Sequence, residues 1–583
     1  MRIIRRAFSI FPLFVLMAQL SVISAEAVFP ATYYVSPQGA DTQSGRSGGE
    51  AFRSIQRAVQ SSLPGDTIFV LPGTYREVIS IHDKNGLSDR PLCLIGYATQ
   101  VTDYPIIDGR APVPSSTASN FWMTISRSSW IEVARLAFRD GWTSPIQVEN
   151  SSYLSFRECR FYGGKRVIEA RGTQSHHILV ERCFWDQGGE YLWKLERDSL
   201  GEKAWTAMHH GSHEFFNGSL IDFSGTGGSM VIRYNTLING FNAVRYRGRK
   251  GCDSNVEIYG NNVTRMRDND FEPEYYTYNL HIYHNRSHNI HRTLSIDNVE
   301  GGNVYYYGNV TTTDTDPWSE EICAGFWKIY GKERQLQYPV YAFNNSFYGT
   351  GEAFSSKTNV TTLLRHFNNA YQFSGRGWGL FFWDPSCQFD YDVSNEPWSP
   401  RLLDNGQERH GKIGAIEFDD PAAGDLRLKS GSVGIDAGKI MELADFGWTQ
   451  EFQGNAPDVG AYEDGQLVEG PPFRFAIPPG GTVAYREKPR VTRHRIRGNT
   501  LLLDFSERID TGMVRKDHIA LIKGEVPVTV ASVTFPDPYS AVIRTVEMPD
   551  KGELTLRWNV LPVGLNGEPL TYWASTIRPY LLN

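Results

Sequence analysis

The chain has 583 residues, 40% hydrophobic and 21% charged, which excludes a disordered or collagen-like polymer and is too long for one compact core. Its 58 basic residues against 65 acidic ones leave a net charge of −7, so nothing in the balance calls for nucleic acid as a partner. Fifty-five glycines with 14 Trp, 29 Tyr and 32 Phe suit many short strands, tight turns and flat faces for sugars, and exclude a helical bundle.

Residues 1–25 read as a secretory signal: Arg2, Arg5 and Arg6, an apolar stretch from Phe8 to Ile23, and a small-residue cleavage site at Ile23-Ser24-Ala25. The expected location is periplasmic or extracellular. Beyond it no apolar run reaches the ~18 residues a membrane span requires. Six cysteines do not make a disulfide scaffold in a chain of this size.

From Val231 onward, short β-type runs ending in Asn recur at Asn235, Asn261, Asn285, Asn309, Asn344 and Asn368, with spacings of 26, 24, 24, 35 and 24. Earlier coils carry Cys159 and Cys183 at the equivalent place, again 24 apart. Alternating strands with this period and no helical pattern between them predict a parallel β-helix, three short strands to a coil. An Asn at a fixed turn tolerates a left-handed backbone and hydrogen-bonds its copy one coil on. The Asn-x-Ser/Thr triplets at Asn262, Asn285, Asn309 and Asn344 are then mostly turn ladders rather than glycosylation sites. Cys159 and Cys183 are expected as buried free thiols, because in-register neighbours stand about 4.8 Å apart and a bridge needs closer Cβ atoms.

Tyr33-Tyr34-Val35-Ser36-Pro37, Phe52-Arg53-Ser54-Ile55 and Leu71-Pro72-Gly73-Thr74-Tyr75 resemble the entry segment of secreted right-handed β-helix proteins of the pectate-lyase-like superfamily. The resemblance implies a short helix at Ile55 to Ser61 capping the open end. The stretch from Asp425 through Gly434-Ile435-Asp436-Ala437-Gly438 to Pro457-Asp458-Val459-Gly460-Ala461-Tyr462-Glu463 resembles that family's closing coil. The fold class is therefore all-β: a right-handed parallel β-helix over 26–465, a Pro-rich linker over 466–482, and strands over 483–583 that read as an Ig-like β-sandwich serving as spacer or sugar-binding module.

In the resembled folds the sugar cleft lies along one stacked sheet. Period-two alternation in the strand after each Asn-turn pair places Gln147, Glu169, Arg245, Glu272, Ser295 and Ser355 in one outward column. Glu149, Arg171, Arg247, Glu274, Asp297 and Lys357 form the next. The densest charge is Arg265 to Glu274, where Asp268, Asp270, Glu272 and Glu274 require arginines, a cation or raised pKa values to coexist. Mixed charges suit a uronic-acid polymer, which a β-eliminating lyase handles by neutralising the carboxylate and abstracting the α-proton. Arg245 and Arg247 are assigned to neutralisation, and Lys328 or His210 to proton abstraction. Glu272 and Asp297 take acid roles, and Asp270, Glu272 and Glu274 form a Ca²⁺ set. Trp205, Trp327, Glu169, Arg171 and Ser295 are assigned to substrate contact. A glycoside hydrolase using two of the carboxyls, or a non-catalytic glycan-binding adhesin, stands beside the lyase reading; the partner in each case is a polysaccharide.

Overall fold

A computed structural model describes residues 30–583 apart from 112–120, 143–145, 189–205, 210–212, 249–253, 297–298, 314–324, 329–335, 356–362, 381–384, 474–490, 548–553, 559–574, 578–583 and shorter breaks. The expected signal at 1–25, together with Trp205, His210, Asp297 and Lys357, lies outside the described residues.

The chain is a parallel β-helix. The strands up to Lys412–Ile413 join in one 34-stranded sheet that wraps into three faces. On the first face Met230–Arg233 pairs in parallel with Ser254–Tyr259, which pairs with the end of Asn262–Tyr283. The second face aligns Thr236 with Asn262, Asn262 with Arg286 and Arg286 with Val310. On the third face Arg166–Arg171, Ser219–Ser224 and Val244–Gly248 follow one another. Alternate residues point inward to one continuous apolar cluster running from Tyr33 to Leu402, and this shared core stabilises coils that could not bury an apolar face alone. The entry is capped by the helix Ile55–Ser61, whose Ile55, Ala58 and Val59 are buried and whose N-cap Ser54 accepts from the Arg57 N–H.

The Asn ladder forms with one change of register. Asn235, Asn261, Asn285 and Asn309 each donate backbone N–H and side-chain Nδ2–H to Oδ1 of the next member, at 2.9–3.1 Å. The next members are Asn345 and Asn369, one residue after the Asn344 and Asn368 expected from the sequence, and the ladder ends on Asp392. The left-handed backbone belongs to the residue before each rung: Tyr234, Gly260, His284, Gly308, Asn344, Asn368 and Tyr391 all have φ between 50° and 63°. Rung asparagines are buried, which removes Asn285 and Asn309 as glycan acceptors. The Cys183 N–H donates to Asn235 Oδ1, and Cys159 and Cys183 are free thiols.

The expected closing coil does not add a further winding. Phe418–Asp420 with Asp425–Leu428, Glu442–Leu443 with Trp448–Thr449, and Tyr462–Glu463 with Gln466–Leu467 form antiparallel hairpins. They fold back along the outside of earlier coils: Asn344 Nδ2 donates to the carbonyls of Asp458 and Gly460, and Arg286 donates to Tyr462 Oη. After residue 490, two antiparallel four-stranded sheets share a cluster of Leu501, Leu503, Phe505, Ile519, Leu521, Ile543 and Leu556, a two-sheet sandwich. No helix among the described residues is long and apolar enough to cross a membrane.

Candidate functional site

The third face carries the charge that the sequence concentrates. Its register places Gln147 beside Glu169, Glu169 beside Asp222, Asp222 beside Arg245, and Arg245 beside Glu272. Phe271 pairs with Leu294 and Ser295 with Lys328, so Ser295 and Lys328 continue the same row. The parallel row holds Glu149 beside Arg171, Arg171 beside Ser224, Ser224 beside Arg247, and Arg247 beside Glu274. Residues 22 to 53 positions apart in the sequence thus become lateral neighbours, roughly 4.8 Å apart.

Asp222 stands at the centre and was not singled out from the sequence. It is fully buried, accepts from Arg247 Nη2, and lies 3.2 Å from Arg166 Nε. The next coil repeats the arrangement, with Arg245 Nε 2.8 Å from Glu272 Oε2 and Arg245 Nη1 donating to Asn217 Oδ1 at 3.0 Å. Asn217 belongs to the insertion after Leu195, anchored by Met208 and Phe216 on Trp142 and Phe241. That insertion therefore meets the charged row through Asn217; the described His209 stacks on Phe241. Glu169 accepts from Arg171 and Arg166.

The carboxyls do not titrate alike. Burial, followed by the charge of Glu272, pushes the Glu274 carboxyl up to about 8. Burial opposes the charge of Arg245, but Glu272, Asp222, Glu274 and Asp268 hold it firmly protonated. Lys328 Nζ lies 3.8 Å from Asp268. His291 is held neutral by burial and by Arg292, Lys328 and Arg267 around it. The site thus combines a protonated acid at Glu274, guanidiniums fixed by buried carboxylates, and a neutral imidazole near Lys328.

Two expected members point elsewhere. Asp270 lies in the corner between the second and third faces, fully buried. Burial raises its carboxyl far above the usual range beside Ser287, and its charge acts on the interior Tyr306. The expected Ca²⁺ set of Asp270, Glu272 and Glu274 is therefore not assembled: Asp270 is turned away, Glu272 is committed to Arg245, and a Ca²⁺ ion needs six to eight oxygens. Trp327 is fully buried, registers with Leu294 and Phe354, and donates from Nε1 to Tyr371 Oη. It is a core residue, not a sugar platform. A recess lined by Trp130, Tyr153, His177, Arg157, Arg233 and Phe505 lies on the first face and contains none of the residues assigned to the site.

No family model matches the chain, and no curated protein matches it. Among solved structures it is similar to a pectate lyase, with 12% identity, 74% of this chain and 96% of that chain covered, and a TM-score of 0.34. It is also similar to a mannuronic-acid-specific polysaccharide family 6 lyase from human gut microbiota, at 11%, 62% and 88%, with a TM-score of 0.38. A rhamnogalacturonan lyase matches at 13%, 57% and 85%, with a TM-score of 0.29.

Proposed function

We propose that the protein is an exported enzyme that cleaves a uronic-acid-containing polysaccharide by β-elimination on the third face of its solenoid. The observation that carries this reading is the in-register row of Asp222, Arg245 and Glu272 with Arg247 and Glu274 beside it. Elimination needs three functions in one groove: cations to neutralise the substrate carboxylate, a base for the α-proton, and an acid for the departing oxygen.

Arg245 and Arg247 supply the first, held in place by Glu272 and Asp222. Arg171, half exposed, extends the positive surface along the groove. Glu274, protonated up to about pH 8, is suited to donate a proton to the leaving oxygen. The neutral His291 or Lys328 takes the α-proton. Arginines do the neutralising here, so the reading needs no Ca²⁺ in this groove. The sandwich after residue 490 serves as an Ig-like spacer or sugar-binding module, and the Arg-rich leader at 1–25 directs export.

The test is incubation with a panel of uronic-acid polysaccharides while following both the ultraviolet absorbance of unsaturated uronate ends and reducing ends. Elimination gives both signals, hydrolysis gives reducing ends alone, and an adhesin binds and gives neither. Arg245→Ala and Glu272→Gln are each expected to lower kcat/KM by at least about 100-fold, the loss of one fixed charge contact in a desolvated site. Full activity in both variants moves the site off this face.

A further inference from the structure

The last coils bring together a second group of chemically capable side chains, in the interior of the solenoid and outside the charged row. His366 lies on the strand Leu364–Phe367, Asp392 follows Gln388–Asp390, and Glu408 follows the helix Pro400–Asp404. One ligand atom from each of the three falls within 4.8 Å of the others, and all three residues are buried.

Their local chemistry goes beyond what packing requires. Asp392 occupies the terminal rung of the Asn ladder, where its Oδ1 accepts from the Asn369 N–H at 2.7 Å and Nδ2 at 3.1 Å. An asparagine would accept the same bonds, as at every earlier rung; what the carboxylate adds is a second acceptor oxygen, Oδ2, and a buried acidic group. Glu408 adds a second buried acidic group: its Oε2 accepts weakly from the Asp392 N–H at 3.4 Å, while the buried Oε1 has no hydrogen-bond partner. An unpaired buried carboxylate oxygen is costly unless something unseen binds it. His366 directs Nδ1 at Asp392 Oδ2, 2.5 Å away. Its Nε2 meets Tyr371 Oη at 2.7 Å, and that hydroxyl is itself fixed by Trp327 Nε1. A partner on the far ring nitrogen is how proteins orient a metal-bound imidazole.

We infer that His366 Nδ1, Asp392 and Glu408 bind one divalent first-row transition metal ion, with Zn²⁺ the representative case, and that this ion ties the last three coils together. A nitrogen donor with two carboxylates matches zinc and its neighbours, whereas Ca²⁺ requires many more oxygens than three side chains offer. Two carboxylates balance the dication's charge, and the ion gives the orphan Oε1 its partner. The site is structural and independent of the elimination reading. Each ligand comes from a different coil, so the bond clamps the end of a solenoid where pairing otherwise stops.

The test uses the full chain expressed in zinc-supplemented medium, desalted, and measured for zinc per chain. The expected content is close to one ion, and prolonged chelation is expected to lower the thermal midpoint. Asp392→Asn, which preserves the acceptor for Asn369 and hence the ladder, and Glu408→Gln are each expected to retain less than a tenth of the metal while keeping the wild-type circular dichroism spectrum. Glu274→Gln in the groove is expected to retain all of it. Wild-type protein with no more zinc than the two variants, the hydrogen-bonded trio alone being present, overturns the proposal; so does loss of the metal in Glu274→Gln, which would place the ion in the groove.

Discussion

Asp222 shows how much of the groove depends on one side chain that touches no solvent. It faces both Arg247 and Arg166, and its replacement by Asn leaves two partly buried guanidiniums with less negative charge than they need. Breaking one partner of a buried ion pair costs about 3 kcal/mol or more. Asp222→Asn is therefore expected to lower urea stability by about that much and, through Arg247, to raise KM more than it lowers kcat. Glu274 gives a pH signature. Its ordinary value is 4.5 and its folded value about 8, so the folded state binds the proton more tightly. The stability linked to that proton is complete below about pH 4.5 and is lost as pH rises through about 8. Glu274→Gln is expected to flatten the fall in thermal midpoint over this window and to abolish the decline of activity above about pH 8; an unchanged profile removes Glu274 from the acid role. The alternation that identified Arg245, Glu272 and Glu274 failed at Asp222, because the insertion after Leu195 hides the strand Ser219–Ser224 from a 24-residue count. It failed at Asp270 because the pairing of this strand shifts between Met266 and Asn269 as the chain turns a corner, so a strict period of two does not run through it. Trp327 lies between Asn309 and Asn344, where the spacing of 35 leaves no matching coil in the sequence to say which way it faces.

The Asn ladder is legible in sequence because its spacing is the length of one coil, and a rung works only if its copy recurs at that length. Its exact register was not legible in two coils: Asn344-Asn345 and Asn368-Asn369 each offer two candidates, and only burial tells the rung from the left-handed residue before it. Where that preceding residue is Gly260, an added Cβ would stand 2.6 Å from the Tyr234 ring, so the turn excludes side chains there by contact as well as by φ. Along the ladder each internal rung accepts two bonds from one neighbour and donates two to the next. Asn285→Ala removes the Oδ1 that Asn261 N–H and Nδ2–H need, leaving buried donors unpaired at about 1–3 kcal/mol each. The expected loss is about 2–5 kcal/mol in urea unfolding. Asn262→Ala, one residue past the neighbouring rung and exposed, is expected to stay within about 0.5 kcal/mol. Equal effects of the two substitutions would show that the ladder contributes nothing beyond an ordinary turn.

At the scale of the molecule, a solenoid has two ends and a side that must be kept from fraying, and this chain treats them differently. The entry is closed by the helix Ile55–Ser61, whereas the segment from 436 to 468 runs back over coils already built. Its attachments join residues far apart in sequence: Asn368 Nδ2 donates to the Lys439 carbonyl at 2.7 Å and Asn368 Oδ1 accepts from the Lys439 N–H at 2.8 Å, while His284 Nε2 meets the Val468 carbonyl. Beneath them Tyr259, Tyr283, Tyr307 and Phe343 stack face to face along the first sheet, and Met441 and Leu443 cover that aromatic row. The strap is held by a few polar pins over an apolar stripe, whereas the coils share a continuous core, so the two are expected to open separately. Asn368→Gly isolates the pins, since glycine keeps the left-handed backbone and loses only the side chain. Two hydrogen bonds at about 1 kcal/mol each correspond to roughly thirtyfold in a local opening constant. Amide exchange in 436–463 is expected to accelerate by about that factor in Asn368→Gly, while the strands of 230–310 keep their protection and elimination activity is retained. Acceleration spread evenly over both regions would show instead that strap and coils unfold as one unit, and that the outer segment is an integral wall of the solenoid.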